Sequence, residues 1–334
     1  MTNLLVMFVM YSLSTFIKRY ITVMKKLFTL FLGVCAIAAV AKAQKPDSTQ
    51  AVAHYKFSHL RDTTKPDDIY TENMVLFLGR SASVYKSFDR KTQDALMRKQ
   101  VAEQVAASAG GPIKINVKGG RASSTEYFTF ADQKKFIRKE KLVNNYLIDE
   151  PMPVIKWKIT NDTASFSGLK CQKATAHFAG RDYTAWFCPD VPFHSGPWKL
   201  IGLPGLIVEA YDTKKQVVFK FDGLDNADKL EKPAPGDEAG TIKSGGTVVK
   251  MVGMADDVDD PSVIALPSTG IKASEKEFTN LKDAMKKDPQ AFMQAAMGGS
   301  GANVRMNANP NSTSKFQISQ GPVINNPLEL PEKK

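Results

Sequence analysis

Cysteine and histidine are scarce in this chain. Three Cys in 334 residues exclude a disulfide-dense mini-scaffold, and four His leave little material for a His-rich metal site. Common catalytic and cofactor motifs are missing as well: there is no Cys-x-x-Cys pair, no P-loop, no G-x-G-x-x-G fingerprint and no G-x-S-x-G elbow. The apolar runs Leu4–Ile17 and Leu27–Val40 fall short of the roughly 20 residues that a spanning helix needs. No stable transmembrane span is therefore expected in the mature chain, and no cofactor or metal is expected.

What is present is a composition of 43% hydrophobic and 24% charged residues, which excludes a collagen-like or wholly disordered chain. Met24-Lys25-Lys26, the apolar run to Val40 and Ala41-Lys42-Ala43 together read as a signal peptide at 24–43, with cleavage between Ala43 and Gln44. Residues 1–23 read as an upstream extension or a start placed too early, because their apolar stretch is too short for an uncleaved anchor. A lipoprotein reading of Cys35 fits poorly, since Val34 stands where a small residue is wanted. Removing 1–43 takes five positive charges from a net +11 and leaves about +6 spread along the chain, so nucleic acid is not an expected partner.

From Ala51 to Phe221, short runs of β-formers separated by turn residues predict a mainly β fold. We expect a strongly twisted antiparallel sheet, bowl-like or an open barrel, within an antiparallel β domain at 44–228. The candidate strands are Val52–Leu60, Asn73–Leu78, Ser83–Ser87, Thr125–Phe130, Lys135–Lys139, Val143–Asp149, Val154–Ile159, Leu169–Phe178, Tyr183–Cys188, Leu206–Tyr211 and Gln216–Phe221. A helix over Lys91–Ala107 interrupts them, ended by Gly110-Gly111-Pro112.

Residues 229–270 read as an exposed loop or insertion, and 271–297 as a helical segment on the sheet with a Ser274/Glu277 capping box and an Asp288-Pro289 start. Met285, Met293 and Met297 suit core packing at helical spacing, or an adaptable groove. Residues 298–334 read as a largely disordered tail, with Phe316–Ile318 as a short strand.

Leu169–Cys188 reads as one hairpin turning at or next to Ala179-Gly180-Arg181-Asp182. Parity puts Ala174, Ala176, Phe178, Tyr183, Ala185 and Phe187 on a core face, with Lys173, Thr175, His177, Asp182, Thr184 and Trp186 on the other, beside Cys171 and Cys188. A turn centred between Ala179 and Gly180 sets the two Cys directly opposite and permits a disulfide. A centre one residue later makes them diagonal and the bond strained. A redox-active role has no helix N-terminus to support it.

Gly196-Pro197-Trp198-Lys199 followed by Gly202-Leu203-Pro204-Gly205-Leu206-Ile207 resembles the GLPGLI family of secreted Gram-negative envelope proteins. Similar features are Lys170-Cys171-Gln172-Lys173-Ala174, Gly180-Arg181 before Tyr183-Thr184-Ala185-Trp186, Tyr70-Thr71-Glu72-Asn73-Met74 and Asn326-Pro327-Leu328-Glu329-Leu330. The resemblance spans most of the mature chain and implies a periplasmic, outer-membrane-associated or secreted protein without a settled activity. Cys188 departs from it, standing where the family more often has threonine, and the stretch Lys232–Ser268 is less typical.

The hexapeptide reads either as a tight bend packing Trp198 and Leu203 on the sheet, or as a binding rim formed by Trp198, Lys199, Gly202, Leu203, Pro204, Gly205, Leu206 and Ile207. The expected function is a non-catalytic binding or accessory protein engaging an envelope protein. A periplasmic carrier of a lipid or other apolar ligand is the alternative, and a hydrolase with an unrecognised site the third. No catalytic set stands out: adjacent His194 and Ser195 near Asp190 cannot share the base-to-nucleophile bond. His54 and His59 point to opposite strand faces, Asp256, Asp257, Asp259 and Asp260 lack calcium-loop spacing, and His177 can pair with Asp182 as a plain polar contact.

Overall fold

The computed structural model describes residues 46–108, 122–230, 241–244, 247–250, 260–298 and 323–332. The chain divides into two units, Met1–Pro46 and Asp47–Lys334, and every described strand and helix belongs to the second. The signal peptide, the upstream extension, Cys35, Asp256, Asp257, Asp259 and Phe316–Ile318 lie outside the described residues.

The fold is mainly β, as the period-two segments predict. Twelve strands form one twisted sheet that does not close into a barrel. In spatial order they are β16 (Ile271–Ala273), β7 (Asn145–Glu150), β6 (Lys135–Lys141), β5 (Glu126–Phe130), β4 (Ala82–Ser87), β3 (Tyr70–Leu78), β2 (Ala51–His59), β12 (Val217–Asn226), β11 (Leu206–Asp212), β10 (Arg181–Cys188), β9 (Leu169–Phe178) and β8 (Lys158–Phe166). Neighbours pair antiparallel except β16, which runs parallel to β7. Two meanders, β2–β7 and β8–β12, meet where β12 pairs with β2. Pro151 and Pro153 in the link between them cannot donate to a ladder, and the link stays outside the sheet.

Smaller pairs are β1 (Asp47–Ser48) with β15 (Val263–Ile264), and β13 (Thr241–Ser244) with β14 (Thr247–Lys250). The helices are α1 (Phe88–Ser108), α2 (Glu275–Lys287) and α3 (Pro289–Gly298). Ser274 and Glu277 form the expected capping box on α2. Met285 and Met293 are half-buried on α2 and α3.

Alternation along the first meander loads both sheet faces. One face sends Tyr55, Phe57, Leu76 and Tyr85 into a cluster shared with Phe187, Phe219 and Trp198. The opposite face carries Val75, Phe77, Val84, Phe128 and Ile137 and is closed by Ile264 from β15. Each fully buried side chain of this size contributes about 1.5–3 kcal/mol. At the β7 end, Tyr146 and Ile148 receive Phe278 from α2.

The β9–β10 turn is centred between Ala179 and Gly180, both left-handed with φ of 50° and 69°, as a two-residue primed hairpin requires. Register then aligns Ala185 with Ala174 and Phe187 with Gln172, and Cys171 is bonded to Cys188 with Cα atoms 4.2 Å apart. The second face is covered at its cysteine end and open at the turn, where His177 and Asp182 are exposed. Trp157, Phe166, Leu169 and Trp186 pack against the cluster that buries both cysteines, and a bulge between Trp186 and Phe187 on the β11 side increases the local twist.

Candidate functional site

The loop from β10 to β11 is folded onto the sheet by its own turn residues. A side chain at Gly196 would sit 2.3 Å from the Leu200 carbonyl oxygen, and one at Gly205 the same distance from the Cys188 carbonyl oxygen. Glycine is required at both. The Leu200 amide donates to the Pro197 carbonyl, closing a turn in which Trp198 is left-handed at φ 56°. That conformation costs a bulky residue on the order of 1–3 kcal/mol. Burial offsets it: the indole is 2% exposed and stacks on Phe219 with centroids 6.3 Å apart. Its Nε1 has no hydrogen-bond partner among the described residues.

The Gly205 amide donates to the Leu203 carbonyl across Pro204, whose fixed φ suits such a three-residue turn. Beyond it the Ile207 amide donates to the Ser195 carbonyl, and the buried Tyr55 hydroxyl donates to the Ile207 carbonyl at 2.7 Å. Trp157 Nε1 donates to the Ile201 carbonyl at 2.8 Å.

This geometry corrects the rim reading of the hexapeptide. Trp198, Leu203, Gly205, Leu206 and Ile207 are buried, and only Gly202 and Pro204 are exposed. An indole and three aliphatic side chains gain more inside the cluster than at a wet surface. Lys199 is the polar exception. Its side chain, 13% exposed, reaches Glu150 at 2.7 Å and Glu329 at 2.6 Å. Burial opposes ionisation of Glu150, yet Lys199 and Arg138 beside it hold the carboxyl below its ordinary range.

Glu329 belongs to a segment that the tail reading missed. Residues 323–332 lie as an irregular strap, bent at Asn325–Asn326 and at Leu328–Glu329, across the loop after β2, the start of β10 and the β9–β10 turn. Arg181 is its anchor. This buried guanidinium pairs with Asp212 at 2.9 Å and donates to Asn326 Oδ1, Pro327 O and Leu328 O at 2.7, 2.7 and 3.0 Å. Asn326 also donates from Nδ2 to the Leu60 carbonyl and to Gln216 Oε1, and its own carbonyl lies 2.8 Å from His59 Nε2. Burial holds His59 down at about 4, so the ring is neutral at pH 7 and Nε2–H is the donor.

At the far end the Leu330 amide donates to the Ala179 carbonyl, and Glu332 takes the Gly180 amide at 3.0 Å and His177 Nε2 at 2.9 Å. His177 also meets Asp182 at 2.6 Å, the pair read from the sequence, and these two carboxylates raise its pKa.

Residues 179–209 match the model of a family described as Protein of unknown function (Porph_ging). The matched stretch begins at the turn that holds Leu330 and ends in β11, so it contains Arg181, Cys188, Trp198, Lys199 and the whole hexapeptide. No curated protein matches the chain. Two solved structures, described as PNGF-II in the P21 and in the C2 space group, resemble it at 11% identity and a TM-score of 0.40. The match covers 55% of this chain and 29% of each of those, so this chain spans under a third of their length, and the likeness carries no argument.

The other candidate residues do not converge. His194 is exposed, and the Ser195 hydroxyl donates instead to Ser83 Oγ at 2.9 Å. His54 pairs with Asp225 at 3.1 Å on a strand position away from His59, and Asp260 accepts from Ser262. Among the described residues no group of three or more His, Cys, Asp and Glu is placed to hold a metal ion, and no helix is long and apolar enough to cross a membrane. A cleft of 360 Å³ lies between α1, β4–β6 and the β15 segment. Its lining mixes Lys86, Arg90, Lys139 and Glu126 with Val84 and Phe128.

Proposed function

We propose that the protein is a secreted cell-envelope protein of the GLPGLI type that works by binding a protein partner rather than by catalysis. The partner is engaged where the hexapeptide loop, the β9–β10 turn and the loop after β2 converge. One observation carries this reading: that surface already holds the bent segment 325–332 through main-chain bonds and through Arg181, Lys199 and His177. A surface that reads one such segment has the chemistry to read another. The carrier reading has less behind it, because the 360 Å³ cleft is lined by charges as well as apolar groups.

The test is affinity capture from crosslinked envelopes of the host, run with the wild-type chain and with a chain locked by Ala179→Cys and Leu330→Cys. These two residues are joined by a main-chain bond of 3.0 Å, so a second disulfide there pins the strap. A reproducible partner that the lock abolishes supports the reading, and the same recovery with and without the lock refutes it. Intact-mass spectra of the protein from its own host test secretion, with a mature start at Gln44 as the expected result.

A further inference from the structure

Resting on that reading, we infer that the strap is a releasable self-ligand, and that the partner presents a segment of the form Asn-Pro-Leu-Glu-x-x-Glu that replaces it. Arg181 imposes the first requirement. Arg181 is 4% exposed and gives one Nη1 hydrogen to Asp212, while Nε and Nη2 donate to the Asn326 amide oxygen and two carbonyls of the strap. Emptying the groove replaces three charge-assisted bonds of Arg181 by water. The groove therefore favours an occupant with this acceptor pattern.

Each strap position adds a requirement. At 326 the site offers a donor, Arg181, on one side and two acceptors, the Leu60 carbonyl and Gln216 Oε1, on the other. An amide answers both, whereas a carboxylate turns an oxygen against two acceptors. Pro327 has no amide to leave unpaired, and its fixed φ reduces the freedom lost on binding. Leu328 packs against the main cluster. Position 329 needs a carboxylate for Lys199, already half satisfied by Glu150, and position 332 one for His177 and the Gly180 amide.

Close approach at the turn sharpens the fit. A side chain at Gly180 would meet the Leu330 carbonyl oxygen at 2.6 Å, so the segment is read against bare backbone there. Val323 and Ile324, just upstream, are exposed and lie outside this register. A foreign segment is therefore specified from Asn326 to Glu332.

The experiment uses the full chain with a protease site introduced between residues 305 and 315, cut after purification so that folding precedes cleavage. A fluorescent peptide of residues 323–334 is then added to cut and uncut protein. The expected result is one-to-one entry into the cut protein and binding to the uncut protein weaker by about a hundredfold, because the tethered strap competes at millimolar effective concentration. The Asn326→Asp peptide should bind about tenfold or more weakly, and Lys199→Met in the protein should lower affinity several-fold and flatten its salt dependence.

Retention of the cut strap without exchange over days overturns the inference, since the segment is then a fixed part of the fold. Equal binding of the Asn326→Asp peptide overturns the recognition pattern. An uncut chain running as a dimer with exchanged straps assigns the groove to a second copy and overturns the foreign segment. Peptide exchange with no lock-sensitive envelope capture removes the proposed partner while leaving the releasable strap standing, so the two failures are distinguishable.

Discussion

At the residue scale, two buried charges and two histidines govern the strap. Arg181 and Asp212 are both nearly inaccessible, and removing one leaves the other buried and uncompensated. Arg181→Met should destabilise the chain by about 3–5 kcal/mol in urea unfolding, and adding Asp212→Asn should recover part of the loss. His59 sets the acid limit. Its folded pKa of about 4 lies below the ordinary 6.5, so the unfolded chain takes up the proton first and stability falls as pH drops from 6.5 to 4.

The expected loss over that window is about 3 kcal/mol, and His59→Gln should flatten it in pH-dependent unfolding. Arg61 and Arg181 reinforce the neutral ring, Asp212 opposes them, and the Asn326 carbonyl accepts its proton. His177 acts in the opposite sense. Asp182 and Glu332 raise its pKa, so its contribution is complete below 6.5 and is lost as pH rises through the raised value. The Glu332 end of the strap should therefore exchange amide hydrogens faster at alkaline pH, after correction for intrinsic rates.

At the element scale, the β9–β10 hairpin is the frame on which both the loop and the strap are mounted. Its disulfide closes a sequence separation of 17 residues and joins β9 to the end of β10, where the loop departs. On the chain-entropy model the bond contributes about 3 kcal/mol, so Cys171→Ala with Cys188→Ala should lower unfolding free energy by that order. Loss of strap protection in the same variant would show that the hairpin holds the groove in shape. Gly180→Ala strains the turn and drives Cβ into Leu330, and limited proteolysis should then release the C-terminal segment that wild type protects.

Element by element, legibility followed alternation. β2, β9 and β10 alternate clearly, and the hairpin parity placed their core residues and set the two cysteines on one face. β8 was only partly legible: the sequence suggests Val154–Ile159, whereas the strand is Lys158–Phe166. Residues 160–163 carry no alternation, because an edge strand with no buried face has no apolar period to display. The buried fate of Trp198 was present as one of two open readings, since a single aromatic beside glycines carries no periodicity.

At the scale of the whole molecule, the decisive contacts cross long stretches of chain. Glu329 reaches Lys199, Asn326 reaches His59, Leu60 and Arg181, and Lys199 meets Glu150 from the first meander. No local pattern announces such partners, because each bond depends on where two distant segments end after the sheet has formed. The sequence by itself determined the mainly β architecture, the hairpin and the shared face of Cys171 and Cys188, because these follow from side-chain alternation within a few tens of residues, while the structure chose the turn centre that sets the two directly opposite. Only the tertiary structure decided that the hexapeptide faces inward and that an Asn-Pro-Leu-Glu segment is bound beside it. Burial and ion pairing between remote segments are properties of the assembled sheet.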